Sequence, residues 1–158
     1  MTPTLEDAIV LAADAHRGQK DRNDEPYIMH PIRVMAGLWG DDERMVAVLH
    51  DVVEDTAVTL DDLRRRGYPE HIVAAVEAIS KRKDIAEPYS QYIRRVKANP
   101  LATKVKIADL RDNANLDRLP KVEAHDLERL DRMVLRQIAT DYFVVPEDPD
   151  KDGNDHDR

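Results

Sequence analysis

The chain has 158 residues, a formal net charge of −8 and 35% charged residues, with no cysteine and a single Phe and Trp. That length suits one domain with an aliphatic core, the lack of cysteine excludes disulfides and thiolate metal ligands, and no apolar stretch is long enough to span a bilayer. Residues 147–158 hold six acids and two bases, so the body is only mildly acidic; it shows no basic stripe, which argues against a nucleic-acid binder but leaves room for a small polyanionic substrate.

The N-terminus, Met1-Thr2-Pro3-Thr4-Leu5-Glu6-Asp7, is acidic and has no signal-peptide pattern. With no Cys, the expected compartment is the cytoplasm. Thr4 and Asp7 form a capping-box variant, and Leu5, Ala8, Ile9, Ala12 and Ala13 then follow one helical face, with Gly18 ending the helix. Residues 18–30 read as a polar loop, and Pro31 suits the first position of a second helix. Asp41 and Asp42 start a third. Thr59 and Asp62 are another capping signal, with Gly67 as the stop. Pro69 opens a helix to about Ser80, and residues 81–88 are a charged loop. Further helices are predicted from about Ser90 to Lys97, from Pro100 onward, and from about Ala124 to Phe143. Gly is scarce and no β pattern of useful length appears, so the fold class is all-α. The expected organisation is one domain over 1–145 and an acidic disordered tail over 146–158. The tail's Asp148-x-Asp150-x-Asp152-Gly153 opens like a calcium loop but lacks an exiting helix, and reads as solvated.

The most informative run is Leu49-His50-Asp51-Val52-Val53-Glu54-Asp55, preceded by Met45-Val46-Ala47-Val48. A helix that is apolar nearly all round belongs inside a fold. An imidazole and three carboxylates buried there need a partner, and a divalent metal is the most economical one. His50 and Asp51 are neighbours, about 100° apart on a helix. His30 stands just before Pro31, and Asp109 follows the mostly apolar Lys104-Val105-Lys106-Ile107-Ala108. Two imidazoles and two carboxylates suit Mn²⁺ or Fe²⁺, with Zn²⁺ also admissible; on an octahedral ion they leave positions for water and substrate. From spacing alone the plainer reading stays open: a lone His-Asp pair is common, and Asp109 equally suits a helix surface. Glu54 lies four residues after His50, and Asp55 four after Asp51, so each projects towards the same site, where it can orient or deprotonate a water. The alternative is a solvated helix end, although acids at that end oppose the helix dipole.

Together the segments Ala15-His16-x-Gly18-Gln19, Glu25-Pro26-Tyr27-Ile28-x-His30-Pro31, Leu49-His50-Asp51-Val52-Val53-Glu54-Asp55-Thr56 and Lys106-Ile107-Ala108-Asp109 with Asn113 form a pattern. It resembles the HD superfamily of metal-dependent phosphohydrolases and, more narrowly, the hydrolase domain of Rel/SpoT alarmone enzymes and the stand-alone small alarmone hydrolases. The resemblance covers roughly residues 4–142. It implies an HD-type helical bundle around Mn²⁺ with His30, His50, Asp51 and Asp109 as ligands. It implies hydrolytic removal of the 3′-pyrophosphate from (p)ppGpp or a similar alarmone in the stringent response, with a small-molecule nucleotide as partner. Glu54 and Asp55 would then position the water for in-line attack. Arg22, Lys81 and Lys106 are the candidate cations for the phosphates, and Asn113 is the candidate for the ribose or a phosphate. Lys81-Arg82-Lys83 equally suits a solvated charge run, and Lys106 a snorkelling side chain. His16 is expected to be structural, and His71, His125 and His156 incidental.

Two departures bear on the substrate. The family's usual Arg-Lys pair in the substrate loop reads Asp21-Arg22 here, and its usual Ala-Asp-Arg-x-His-Asn reads Ala108-Asp109-Leu110-Arg111-Asp112-Asn113. An acid at residue 21 repels phosphate but can accept a hydrogen bond from a base amino group, which both guanine and adenine carry. An adenosine 3′-pyrophosphate is therefore an alternative substrate. The competing functions are a general phosphatase releasing orthophosphate from nucleotides (monophosphates or NADPH) and a non-catalytic nucleotide-sensing module.

Overall fold

Local capping starts several of the helices. In the computed structural model, which describes residues 1–115, Thr4 accepts from the Asp7 N–H at 3.3 Å and Asp7 Oδ2 accepts from the Thr4 N–H at 2.8 Å. This reciprocal box satisfies two N-terminal amides and launches α1, Leu5–Ala15. The same device, Thr59 with Asp62, launches α5, Leu60–Arg65. That helix stops in a Schellman turn: Tyr68 N–H bonds the Leu63 carbonyl at 3.2 Å and Gly67 N–H the Arg64 carbonyl at 2.9 Å. Gly67 sits at φ +87°, where a Cβ is costly.

Between them lie α2, Met29–Ala36; α3, Asp41–Leu49; and α4, the single turn Val52–Asp55. After α5 come α6, Glu70–Ile79; a 3₁₀ turn at Lys83–Ile85; α7, Tyr89–Lys97; and α8, Pro100–Ala114. Asn99 caps α8 by accepting from the Ala102 N–H at 3.0 Å. The described residues hold no strand, only one isolated bridge between Lys20 and Pro26. The all-α class is thus what the molecule has. No helix among the described residues is long and apolar enough to cross a membrane. The helix expected near 124–143, the domain boundary near 145, the acidic tail, His125 and His156 lie outside the described residues.

Helix α3 is the axis of the fold, packing on α1, α2, α6 and α8. Met45, Val46, Ala47, Val48 and Leu49 are all buried, as an all-round apolar helix requires. Ile72, Val73, Val76, Tyr92, Val96, Ala102 and Val105 continue the core from α6, α7 and α8.

Two boundaries differ from expectation. Helix α2 begins at Met29, so Pro31 is its third residue rather than its first. A turn seeds the start, with Met29 N–H on the Pro26 carbonyl and His30 N–H on the Tyr27 carbonyl, both at 3.0 Å. Pro is tolerated there because the first four helical amides have no intrahelical acceptor. The run 45–55 is also not one helix: it breaks at His50-Asp51, where Asp51 sits at φ −98°, ψ −7°. The bond from Asp55 N–H to the Asp51 carbonyl at 2.9 Å resumes the turn, and Glu54 and Asp55 still face the cavity that holds His50 and Asp51.

Candidate functional site

Three stretches of chain meet at the floor of one cavity of about 490 Å³. The first turn of α2 brings His30, the α3–α4 junction brings His50 and Asp51, and α8 brings Asp109. His30 Nε2 lies 3.1 Å from Asp109 Oδ1 and 3.7 Å from Asp51 Oδ2. His50 Nε2 lies 3.0 Å from Asp51 Oδ2 and 3.7 Å from Asp109 Oδ1. Ligand atoms of His30, His50 and Asp51 fall within 4.8 Å of one another, and His30, His50 and Asp109 are buried.

The donor set fits a cation. His50 Nδ1 is 2.6 Å from the Ala47 carbonyl, which can only accept, so Nδ1 carries the ring hydrogen and Nε2 presents its lone pair to the cluster. That Nε2 is buried with no hydrogen-bond partner. A lone pair facing two carboxylates in a desolvated site is repulsive until a positive charge stands among them. The ionisation of the cluster reflects the same demand. Burial drives the His50 imidazole down, but the charges of Asp51 and Asp109 outweigh it and hold the group well above its ordinary value. Burial drives Asp109 up, yet the Lys106 charge and the two imidazoles keep it well below the carboxylate range. A divalent ion would satisfy these atoms at once; nitrogen and carboxylate donors without sulfur suit Mn²⁺, Fe²⁺ or Zn²⁺.

Each cluster residue is held from another position. Tyr27 O–H donates to Asp51 Oδ2 at 2.6 Å. Lys106 Nζ donates to Asp109 Oδ2 at 2.8 Å, and Asn113 Nδ2 to Asp109 Oδ1 at 2.6 Å. Lys106 and Asn113, expected on the substrate, thus direct donors at Asp109 while also lining the cavity. Burial lowers the Lys106 ammonium, but the Asp109 charge outweighs it and raises the group. Behind His30, Nδ1 lies 2.7 Å from Asp112 Oδ2, and Arg33 donates to Asp112 from Nε at 2.8 Å and from Nη2 at 3.2 Å. Burial raises the Asp112 carboxyl, but the hydrogen bonds from His30 and Arg33 dominate and bring it to about 2.

The rim carries the remaining expected residues. Glu54, Asp55, Arg22 and Lys81 all line the same cavity. Glu54 Oε2 accepts from the Lys81 N–H at 2.9 Å. Lys83, treated in the sequence only as part of a charge run, puts Nζ 2.5 Å from Asp55 Oδ1 and 3.8 Å from Glu54 Oε1. The Lys81 ammonium stands over the Tyr92 ring at 5.7 Å. Asp21 also faces the cavity, but its Oδ1 accepts from the backbone N–H groups of Asn23 at 2.7 Å and Glu25 at 3.1 Å. It therefore shapes its loop first, and only Oδ2 is left for a base. His16 is buried, bonded to Gln19 Oε1 at 2.8 Å and tilted against the Tyr27 ring, while His71 is exposed and pairs with Asp42.

Tyr27 and Asp112 are the site residues whose roles the sequence did not suggest. Tyr27 lies inside the Pro26-Tyr27-Ile28-x-His30 segment, three residues before His30. Asp112 follows Asp109 by three and so shares its helical face.

The HD domain family model matches residues 8–133. The chain is 32% identical over 119 residues to the guanosine-3′,5′-bis(diphosphate) 3′-pyrophosphohydrolase of Aquifex aeolicus, a match covering 69% of this chain and 17% of the relative. It is 41% identical over 81 residues to the bifunctional (p)ppGpp synthase/hydrolase SpoT of Escherichia coli, covering 49% of this chain and 11% of that protein. The chain thus spans under a fifth of the length of these curated relatives. Among solved structures, a metazoan ortholog of SpoT described as hydrolyzing ppGpp superposes with a TM-score of 0.70 at 23% identity, covering 86% of this chain and 84% of that one. That likeness concerns the fold.

Proposed function

This chain belongs to the HD-domain family, and from that premise we propose that it is a metal-dependent pyrophosphohydrolase acting on the 3′-pyrophosphate of an alarmone-type nucleotide. The observation that carries this reading is a buried two-His, two-Asp cluster with Glu54 and Asp55 beside it, at the floor of a cavity rimmed by lysine and arginine. A volume of about 490 Å³ is of the size that small-molecule sites occupy, and relatives with substantial identity carry the name of this activity.

In this reading His30, His50, Asp51 and Asp109 hold Mn²⁺. When bound, the ion supplies Lewis acidity towards a phosphoryl oxygen and makes water a competent nucleophile near neutral pH. The chain's own residues do the rest. Tyr27, Lys106 and Asn113 fix the two carboxylates, so the ligands meet the ion already oriented. Glu54, whose Oε2 accepts from the Lys81 N–H, and Asp55 orient the attacking water and accept its proton. The water oxygen attacks the phosphorus bonded to O3′, the P–O3′ bond breaks, and O3′ departs and takes up a proton. The products are a nucleoside 5′-phosphate species with a free 3′-hydroxyl, and pyrophosphate. Lys81, Arg22 and Lys106 offset charge on the phosphates.

The test is a nucleotide panel of guanosine and adenosine 3′-pyrophosphates, 3′-monophosphates and NADPH, assayed with Mn²⁺ and read by ³¹P NMR. Pyrophosphate release is expected, and orthophosphate release would replace this reading with a general phosphatase. Glu54→Gln and Asp55→Asn are expected to keep Mn²⁺ and lose about 10²–10⁴-fold in turnover. Tight nucleotide binding with no turnover in the parent would identify a sensor.

A further inference from the structure

The two imidazoles of the cluster are backed differently. His50 Nδ1 meets a neutral acceptor, the Ala47 carbonyl at 2.6 Å. His30 Nδ1 meets a carboxylate, Asp112 Oδ2 at 2.7 Å. That carboxylate is itself gripped side-on by Arg33, with Nε on Oδ1 at 2.8 Å and Nη2 on Oδ2 at 3.2 Å. The side chains of His30 and Asp112 are each 8% exposed, so the contact is shielded from competing water. Arg33 stands one turn after His30 on α2, and Asp112 one turn after Asp109 on α8. The pair therefore joins the two helices that each supply a ligand.

An ionised carboxylate can only accept. It fixes the ring hydrogen on Nδ1 and leaves the Nε2 lone pair aimed at the cluster. A charged acceptor also pushes electron density through the ring and strengthens Nε2 as a donor, beyond what a carbonyl can do. Arg33 pairs with that carboxylate through a two-point grip that a lysine could not reproduce.

We propose that Asp112 and Arg33 are positioning residues that set the tautomer and donor strength of His30 towards the metal ion, making His30 the stronger of the two imidazole ligands. This rests on the reading of the cluster as a metal site and adds to it the residues that tune that site.

The test is Mn²⁺ binding to the nucleotide-free protein, read as loss of the free-ion EPR signal, with side-chain ¹⁵N–¹H spectra of the metal-free protein at alkaline pH, where both rings are neutral, to assign the tautomers. Asp112→Asn keeps an acceptor of the same shape and removes its charge; it is expected to weaken Mn²⁺ binding about 10–100-fold. Asp112→Ala is expected to weaken it at least as much and to mix the His30 tautomers while His50 stays protonated on Nδ1, a change that a general loosening of the fold would not confine to one ring. Arg33→Met, which leaves the carboxylate in place, is expected to weaken binding measurably, by up to about tenfold. Should Asp112→Asn fail the metal-free thermal melt, Arg33→Met carries the test alone, and parent-like affinity in it would then overturn the proposal. Parent-like affinity in a folded Asp112→Asn variant would overturn the proposal while leaving the metal site intact. Failure of the parent to bind Mn²⁺ would overturn both.

Discussion

The floor and the rim of the cavity are built on opposite principles. On the floor, each carboxylate and imidazole of the cluster is held by a further group: Asp51 by Tyr27, Asp109 by Lys106 and Asn113, His30 by Asp112, His50 by the Ala47 carbonyl. On the rim, Arg22 is exposed and makes no ion pair among the described residues, and the Lys81 ammonium rests on the Tyr92 ring. The difference separates two tasks. Reactive groups must be set to fractions of an ångström, so the core supports them; groups that meet a ligand sit on loops, where they can adjust or be exchanged without cost to the fold.

Substitutions can break or sharpen that division. The largest effect is expected for Asp109→Ala, which removes a proposed ligand and strands the buried Lys106 without its carboxylate. A stability loss of about 3–5 kcal/mol in urea denaturation, with no Mn²⁺-dependent turnover, is the expected outcome; a loss under 1 kcal/mol would mean that the floor is not braced as its bonds suggest. Next is Arg95→Ala, which tests the bridge between the two regions. Arg95 grips Glu87 from Nε and Nη2, both at 2.7 Å, and donates to the Glu77 carbonyl and, from Nη2, to the Ser80 carbonyl, each at 2.8 Å. It thereby closes the end of α6 and anchors the loop that carries Lys81 and Lys83. Its removal is expected to cost about 2–3 kcal/mol in thermal denaturation and to raise KM by loosening that loop. The smallest effect is expected for Lys81→Ala: stability within about 0.5 kcal/mol of the parent, with KM raised and its salt dependence reduced. If Lys81→Ala destabilised the protein as much as Arg95→Ala, floor and rim would not be separable.

The same division decides what could be read from the chain alone. Thr4-Asp7, Thr59-Asp62 and Gly67 are local signals whose physics acts within a few residues, and the helices they delimit lie where expected. His50-Asp51 and Asp109 stood out because polar groups in apolar helical contexts demand an explanation. The break between α3 and α4 did not stand out, because it comes from a side chain, His50, taking a carbonyl of its own helix, and the hydropathy of 45–55 is the same whether or not the helix is continuous. The contacts of Tyr27 with Asp51 and of Asp112 with His30 join residues 24 and 82 positions apart, and no local pattern announces such a meeting. Lys106 and Asn113 lie three before and four after Asp109, so their turn towards it was implicit in the helical period, but the sequence offers a phosphate as an equally good partner.

Because the four proposed ligands come from three stretches separated along the chain, an unfolded polypeptide offers a cation no comparable pocket. Occupancy and folding are therefore thermodynamically linked: an ion held only by the native form adds RT ln(1 + [M]/Kd) to its stability, about 2.7 kcal/mol at a hundredfold excess over Kd. If the cluster holds Mn²⁺ as proposed, the melting temperature is expected to climb with the logarithm of the free ion in a thermal-denaturation series, and a flat series would count against that occupancy.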